Sequence, residues 1–225
     1  MAWPPEGNED APSSKGDLPP RDEEGDLPLE SNLVHGDLNI ENVMFGDFEP
    51  VAHQFVPMLK LIDFGKSRVI SDSPIPGIKL NMWDVGKVML ALIGGRVWND
   101  RHRSIMMEVT DRGVKKTVRS TARDLEGLGH PVYAAADSST RQAHQERLDN
   151  LDPELKDLIV LCLAPDQADR PELDHLLQEV QRNVTEKGPD SYKGKKYHHN
   201  ESDDALRRIS ERIIQLAQSP PGNLP

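Results

Sequence analysis

The chain has 225 residues, of which 36% are hydrophobic, and its formal net charge at pH 7 is −11. The length suits one sizeable domain with tails, and the low apolar fraction predicts disordered segments around a modest core. The acidic balance argues against general nucleic-acid binding and against docking on anionic membranes.

The lone cysteine, Cys162, excludes an intrachain disulfide and lies in an apolar run, where we expect a small buried hydrophobe. The N-terminus lacks the pattern of a secretory signal, and no apolar run reaches the roughly 20 residues that span a bilayer. We therefore expect an intracellular protein, in the cytoplasm with the nucleus left open.

Residues 1–32 are rich in proline and acidic residues and have no helical or strand periodicity, which predicts a disordered acidic arm. Two short apolar runs follow, at residues 43–45 and 59–62. Glycine, proline and aspartate bound them, so we expect the runs to pair as a small hairpin. Residues 71–79 contain several residues that break secondary structure.

Residues 81–93 are apolar on nearly every side of a helix, which predicts a buried helix that the pair Gly94-Gly95 ends. Residues 96–150 are mixed and polar, with short helices expected only near 103–109 and 139–148.

Further helices are predicted towards the C-terminus. Asp152 and Pro153 are typical of a helix start, and apolar residues follow at helical spacing. A second helix is expected to begin near Pro171, with one face formed by Leu173, Leu176, Leu177, Val180 and Val184.

The end of the chain combines a basic segment with an amphipathic one. Residues 187–200 are predicted to be a solvated linker, and residues 201–218 a C-terminal amphipathic helix. The apolar stripe of that helix consists of Leu206, Ile209, Ile213 and Leu216.

Two polar elements suggest chemistry: His35-Gly-Asp37-Leu-x-x-x-Asn42 and Leu61-Ile-Asp63-Phe-Gly65. Phosphoryl transfer from ATP needs a carboxylate that orients the attacking hydroxyl and oxygen ligands that hold Mg²⁺ on the phosphates. A loop Asp followed five residues later by Asn can supply one of each. A second Asp at the end of a strand can bridge the metal and the phosphates, and Gly65 allows a sharp turn.

Residues 33–65 resemble the catalytic and metal-binding loops of the eukaryotic protein-kinase family. Asn81-Met-Trp83-Asp-Val-Gly86 is similar to the family's D-x-W-x-x-G segment. Leu161-Cys-Leu163, followed by Asp166 and Arg170-Pro171, is similar to its C-x-x-x-D-P-x-x-R-P segment. The resemblance spans about residues 30–185 and corresponds to the family's helical C-terminal lobe only.

The resemblance implies a mainly α (α+β) fold. A protein-kinase-like C-lobe would occupy residues 33–186, with a small β-hairpin at its active face. The disordered arm would precede it, and the linker and the extra C-terminal helix would follow.

The resemblance also implies cofactors and residue roles. ATP and Mg²⁺ would be the cofactors, with Asp37 as catalytic base. The residues implied in nucleotide binding are Asn42, Met44, Asp63 and Gly65, of which Asn42 and Asp63 would ligate Mg²⁺ and Met44 would lie under the adenine. His35 and Phe64 would stack in the core beneath the site, and Asn81, as the first residue of the central helix, would anchor the catalytic loop.

The chain departs from the family pattern at several positions. Gly36 replaces the arginine that meets a phosphorylated activation loop, so we expect no such switch. Asn39 takes the catalytic position of a lysine, and a neutral amide gives up electrostatic stabilisation of the γ-phosphate. No glycine-rich phosphate loop precedes His35, and no Ala-Pro-Glu segment pairs with Arg170.

These observations leave three hypotheses open, and with them whether the chain is an enzyme. The first hypothesis is a protein Ser/Thr phosphotransferase, which would be weak or inactive alone unless upstream sequence or a partner completes the cleft. Alternatively it is a pseudokinase-type module that binds protein partners through the exposed lobe face and the C-terminal helix. The third hypothesis is a small-molecule kinase of the aminoglycoside or choline type, because His-Gly-Asp-Leu also resembles that group's catalytic loop.

Overall fold

The computed structural model describes residues 32–49, 54–70, 76–94, 103–126 and 137–218, with side chains described through residue 215. This part combines five α-helices with three two-stranded antiparallel sheets. The predicted acidic arm lies outside the described residues except for Asn32, and so does the side chain of Leu216. Within the described ranges, no helix is both long and apolar enough to cross a membrane.

Four short strands form the first two sheets. They are β1 (Leu33–Val34), β2 (Val43–Phe45), β3 (Leu59–Leu61) and β4 (Arg68–Val69). Strand β2 pairs with β3, which confirms the predicted hairpin, and β1 pairs with β4. Val34 lies opposite Arg68 and Val43 lies opposite Leu61. The two pairings therefore place the segment between β1 and β2 next to the segment between β3 and β4.

The central helix α1 spans Gly77–Gly94, so it begins four residues before the predicted start and ends where expected. The early start has a tertiary cause: Lys79 is buried, and its ammonium group donates to carbonyls of the segment 170–172. The prediction of burial on all sides is wrong in part. Met82 and Leu90 are buried, whereas Leu92 is 54% exposed.

Residues 105–120 form a β-hairpin, so the helix predicted near 103–109 is wrong. Strand β5 (Ile105–Asp111) pairs with β6 (Val114–Ser120), and the turn residues Arg112 and Gly113 both have positive φ, as two-residue hairpin turns require. Met107 and Val109 point inward and alternate with exposed side chains. This two-residue period is the strand signal that the segment carries.

Helix α1, the β5–β6 hairpin and the helix α3 (Pro153–Cys162) enclose the main apolar core. The Ser120 hydroxyl donates to the carbonyl of Val160 at 2.8 Å and so joins the hairpin to α3. Cys162 is buried as predicted, and burial raises the pKa of its thiol to about 11. The core residues are Leu90, Met107, Val109, Val118, Ala122, Leu125, Ile159, Val160, Leu161 and Leu163.

The predicted C-terminal helices are present. Helix α2 spans Ser138–Asn150, and α3 begins at Pro153 with the Asp152 carboxylate accepting from the N–H groups of Glu154 and Leu155. Helix α4 spans Leu173–Glu186. The far end of its apolar face is open to solvent, because Val180 and Val184 are both exposed.

The segment 187–200 is mostly exposed, as expected of a solvated linker, but it also contacts the domain. It contains a short 3-10 helix, Pro189–Tyr192, and begins a second, His198–Glu201. Lys196 pairs with Glu146 of α2 at 2.7 Å, so the basic side chains find acidic partners on the neighbouring helix. Helix α5 follows over Asp203–Gln218, as predicted.

Candidate active site

The loop that contains the predicted catalytic residues follows β1, and hydrogen bonds from Asn81 attach it to α1. The backbone N–H of His35 donates to the side-chain oxygen of Asn81 at 3.0 Å, and the Asn81 amide nitrogen donates to the Leu33 carbonyl at 2.9 Å. Asn81 therefore brackets the start of the loop, as predicted, although it lies in the second turn of α1 rather than at its first residue.

The His35 ring connects this loop to the segment after β3. His35 is buried, and its Nε2–H donates to the carbonyl of Ile62 at 3.1 Å. The imidazole and Phe64 rings lie 4.7 Å apart between centroids at an interplanar angle of 44°, so they are in contact but tilted rather than stacked as predicted. The predicted core position of Phe64 is wrong, because this side chain is 52% exposed.

Asp37 carries its carboxylate at the surface beside a lysine. Lys66 Nζ lies 2.7 Å from Asp37 Oδ2, and this hydrogen bond is the largest contribution that lowers the pKa of the Asp37 carboxyl from its usual value. The group is therefore ionised near neutral pH, which is the state in which it can accept a proton.

Two asparagines hold the Asp37 backbone. The Asn42 amide nitrogen donates to the Asp37 carbonyl at 2.7 Å, and that of Asn39 donates to the same carbonyl at 3.0 Å. The Asn39 oxygen in turn accepts from the N–H of Glu41 and caps the 3-10 helix Ile40–Asn42. Asn39, predicted at a catalytic position, thus has both ends of its amide engaged within the loop.

The second predicted metal ligand, Asp63, has a left-handed backbone with φ 60° and ψ 64°. Its Oδ1 accepts from the N–H of Gly65 at 3.3 Å, and a Cβ on Gly65 would lie 3.1 Å from that oxygen. Asn42 precedes β2 and Asp63 follows β3 by two residues, so both lie at the same end of the β2–β3 hairpin. The Ile62 N–H donates to the Asn42 carbonyl at 3.0 Å and joins the two segments there.

The oxygens of Asn42 and Asp63 are of the kind that magnesium prefers. The Asn42 nitrogen faces Asp37, which leaves its amide oxygen for a ligand, and Mg²⁺ is commonly held by one or two protein oxygens together with phosphate and water. No group of three or more His, Cys, Asp and Glu side chains suited to a metal occurs in the described ranges. The two-oxygen set therefore fits a phosphate-bound cation.

Met44, which the family resemblance predicts to lie under the adenine of ATP, is 53% exposed on β2. Because Val43 opposes Leu61 and Phe45 opposes Leu59, these four residues share one side of the sheet, here called the hairpin apolar face. Met44 opposes Lys60 and therefore lies on the other side. Both sides of the hairpin thus present apolar surface.

The sequence has no Ala-Pro-Glu segment whose glutamate could pair with Arg170, but Arg170 has other partners. Its Nε donates to the Ala164 carbonyl at 2.9 Å and its Nη1 to the Lys79 carbonyl at 2.6 Å. The guanidinium carbon also lies 4.8 Å from the centroid of the Trp83 ring. Where the protein-kinase pattern has a glutamate partner for this arginine, backbone carbonyls and an aromatic ring therefore surround Arg170.

Lys66 is the site residue that the sequence patterns miss. It directly follows Asp63-Phe-Gly65, and that position was its only signal in the sequence. Its contact with Asp37 spans 29 positions and depends on the pairing of β1 with β4, which no local pattern predicts.

No family model matches this chain, and no solved structure is significantly similar to it.

Proposed function

We propose that the chain is a protein-kinase-like C-lobe that transfers the terminal phosphoryl group of Mg-ATP to a protein Ser or Thr hydroxyl. The observation that carries this proposal is the arrangement of Asp37, Asn42 and Asp63. The Asn42 amide donates to the Asp37 carbonyl, and Asp63 directly follows Ile62, whose N–H donates to the Asn42 carbonyl. Three residues to which the family resemblance assigns roles are thus connected through Asn42.

Each residue has a distinct task in this proposal. The ionised Asp37 carboxylate orients the acceptor hydroxyl and takes its proton as the new oxygen–phosphorus bond forms. The Asn42 oxygen and the Asp63 carboxylate would hold magnesium, which when bound neutralises charge on the phosphate oxygens. Asn81 and His35 act through Asp37, because they position the loop that carries it. Asn81 holds the loop to α1, and the His35 ring holds it to the Ile62 carbonyl.

The proposal predicts that Asp63→Asn removes magnesium-dependent binding of ATP and that Asp37→Asn lowers phosphoryl transfer by about 10²–10⁴-fold, the usual contribution of a general base. Binding is measured by calorimetry with and without Mg²⁺, and transfer by ADP release. Asp47→Asn is the matched control, since Asp47 is fully exposed and its nearest cation, Lys60, is 4.0 Å away.

The acceptor class is tested in the same assay with Ser/Thr peptides against a panel of amines and sugars. Transfer to peptides supports the protein-kinase assignment, whereas transfer to the amines or sugars alone supports the small-molecule alternative. If wild-type protein and Asp63→Asn bind ATP equally, or neither binds it, the phosphotransferase proposal fails.

A second candidate function, a pseudokinase-type binding module, is favoured by the hairpin apolar face. Phe45, Leu59 and Leu61 are each about half exposed there, and apolar surface of this kind is typical of interaction sites. We expect Leu59→Glu to abolish co-purification of a defined partner that Asp63→Asn still retains. Val184→Glu, on exposed α4, serves as control. A chain that stays monomeric and partner-free would contradict this candidate.

A further inference from the structure

Lys66 is an exposed lysine placed between two carboxylates of the candidate site. Its ammonium group bonds to Asp37, and the charge of Asp63 is close enough to contribute to the raised pKa of Lys66 after the larger effects of Asp37. Its side chain is 67% exposed. The lysine therefore lies at the open side of the site, where a ligand can reach it.

The backbone of Lys66 is fixed, whereas its ammonium group is held by an exposed ion pair with Asp37. A Cβ on Gly36 would lie 2.5 Å from the Lys66 carbonyl oxygen, so the catalytic loop and the 3-10 helix Phe64–Lys66 are in direct contact. The Ser67 hydroxyl adds a hydrogen bond to the His35 carbonyl at 3.1 Å. A lysine stem that starts from a fixed point can move its charge over a short, defined range.

Lys66 is also the only cation within ion-pair distance of either Asp37 or Asp63 among the residues that the structure describes. Asn39 cannot serve, because it is neutral and its amide is engaged at both ends within the loop. A transferred phosphoryl group carries more negative charge than one carboxylate, and an exposed ion pair such as Lys66–Asp37 is weakly held.

We propose that Lys66 is a catalytic residue that leaves Asp37 and pairs with the terminal phosphate of ATP, which frees the Asp37 carboxylate for the acceptor hydroxyl. This inference rests on the proposed phosphotransferase function. The acceptor oxygen–phosphorus bond forms, the bond from the terminal phosphorus to its bridging oxygen breaks, and ADP leaves. The hydroxyl proton goes to Asp37, while Lys66 keeps its proton throughout.

The test compares Lys66→Met and Lys66→Arg with Lys60→Met, an exposed lysine on β3 that serves as matched control. Calorimetry gives the Kd of Mg-ATP and of Mg-ADP for each protein, and rapid mixing gives the rate of phosphoryl transfer. We expect Lys66→Met to weaken ATP binding about tenfold without changing ADP binding, and to slow transfer about 10²-fold, the usual effect of one lost transition-state donor. Lys66→Arg should recover part of both.

The ratio of the two dissociation constants separates this role from a structural one, since a misplaced loop would weaken ATP and ADP alike. An unchanged ATP/ADP ratio in Lys66→Met, with binding still lost in Asp63→Asn, overturns the role of Lys66 and leaves the proposed function standing. Faster transfer in Lys66→Met would also overturn it. Failure of the wild-type protein to bind Mg-ATP overturns both.

Discussion

Replacing Gly36 by alanine should lower the free energy of unfolding by about 2–5 kcal/mol, the sum of a left-handed backbone penalty of about 1–2 and an overpacking cost of about 1–3. Gly36 has φ +79°, a region that L-residues with a side chain adopt only at a cost. The new Cβ would also meet the Lys66 carbonyl oxygen at 2.5 Å. That obstacle is backbone and cannot rotate aside.

Gly113→Ala is the matched control for this effect. Gly113 has φ +75° in the β5–β6 turn, but a Cβ there would meet nothing within 4 Å. It should therefore cost only the backbone part, about 1–2 kcal/mol. Urea unfolding followed by circular dichroism measures both. Equal losses would show that the contact between Gly36 and Lys66 contributes nothing.

The same contact gives a physical reason for the glycine between His35 and Asp37. In the sequence, Gly36 is noticeable only as the absence of an arginine. In the structure, Gly36 is the point at which the loop after β1 touches the segment after Asp63, and any side chain would separate the two.

Replacing Arg170 by methionine should destabilise the protein by about 2–6 kcal/mol in total, since the carbonyls of Ala164 and Lys79 each lose a donor and each loss costs about 1–3. Arg170 and Lys79 form a reciprocal lock: Arg170 donates to the Lys79 carbonyl, and Lys79 Nζ donates to the Arg170 carbonyl at 2.9 Å. Both side chains are buried, so water cannot replace the lost bonds.

A double-mutant cycle with Lys79→Met tests whether the lock acts as a unit. Each side chain donates to the backbone carbonyl of the other residue, so losing one loosens the segment that the other holds. The double variant should therefore lose clearly less than the sum of the single losses. Arg182→Met is the control: Arg182 pairs with Glu154, Glu179 and Glu186 at the surface. Exposed ion pairs contribute little, so its loss should be a small fraction of that for Arg170. Additive losses at Lys79 and Arg170 would contradict the lock.

This lock also bears on the candidate site. Lys79 and Asn81 are two residues apart in α1, so the helix turn that Arg170 holds is the turn that brackets His35. A motif near the end of the chain thereby supports a loop near its beginning, about 130 positions away.

The sequence by itself determined the elements that local signals specify. Asp152 followed by Pro153 predicts the start of α3, because a carboxylate cap and a proline at the first turn need only neighbouring residues. The apolar runs 43–45 and 59–62 predict the β2–β3 hairpin for the same reason. The resemblance to the protein-kinase family also suggested Asp37, Asn42 and Asp63 as site residues, and their roles stay a prediction.

Where the sequence misled, the deciding contact was distant. Helix α1 starts early because Lys79 reaches carbonyls more than 90 positions away. The segment 187–200 is mostly exposed, but its Lys196 pairs with Glu146 of α2, a contact that the sequence did not indicate. The β5–β6 hairpin packs its inward side against α1 and α3, and the two-residue period of β5 was a local signal that the helix prediction overlooked.

Only the tertiary structure decided which charges surround the candidate base. The sequence shows a loop with a neutral residue, Asn39, where a cation was expected. The pairing of β1 with β4 brings Lys66 across 29 positions to the Asp37 carboxylate. Charge proximity is a property of distance in space, and an antiparallel ladder between separate segments sets that distance in a way that residue spacing along the chain does not encode.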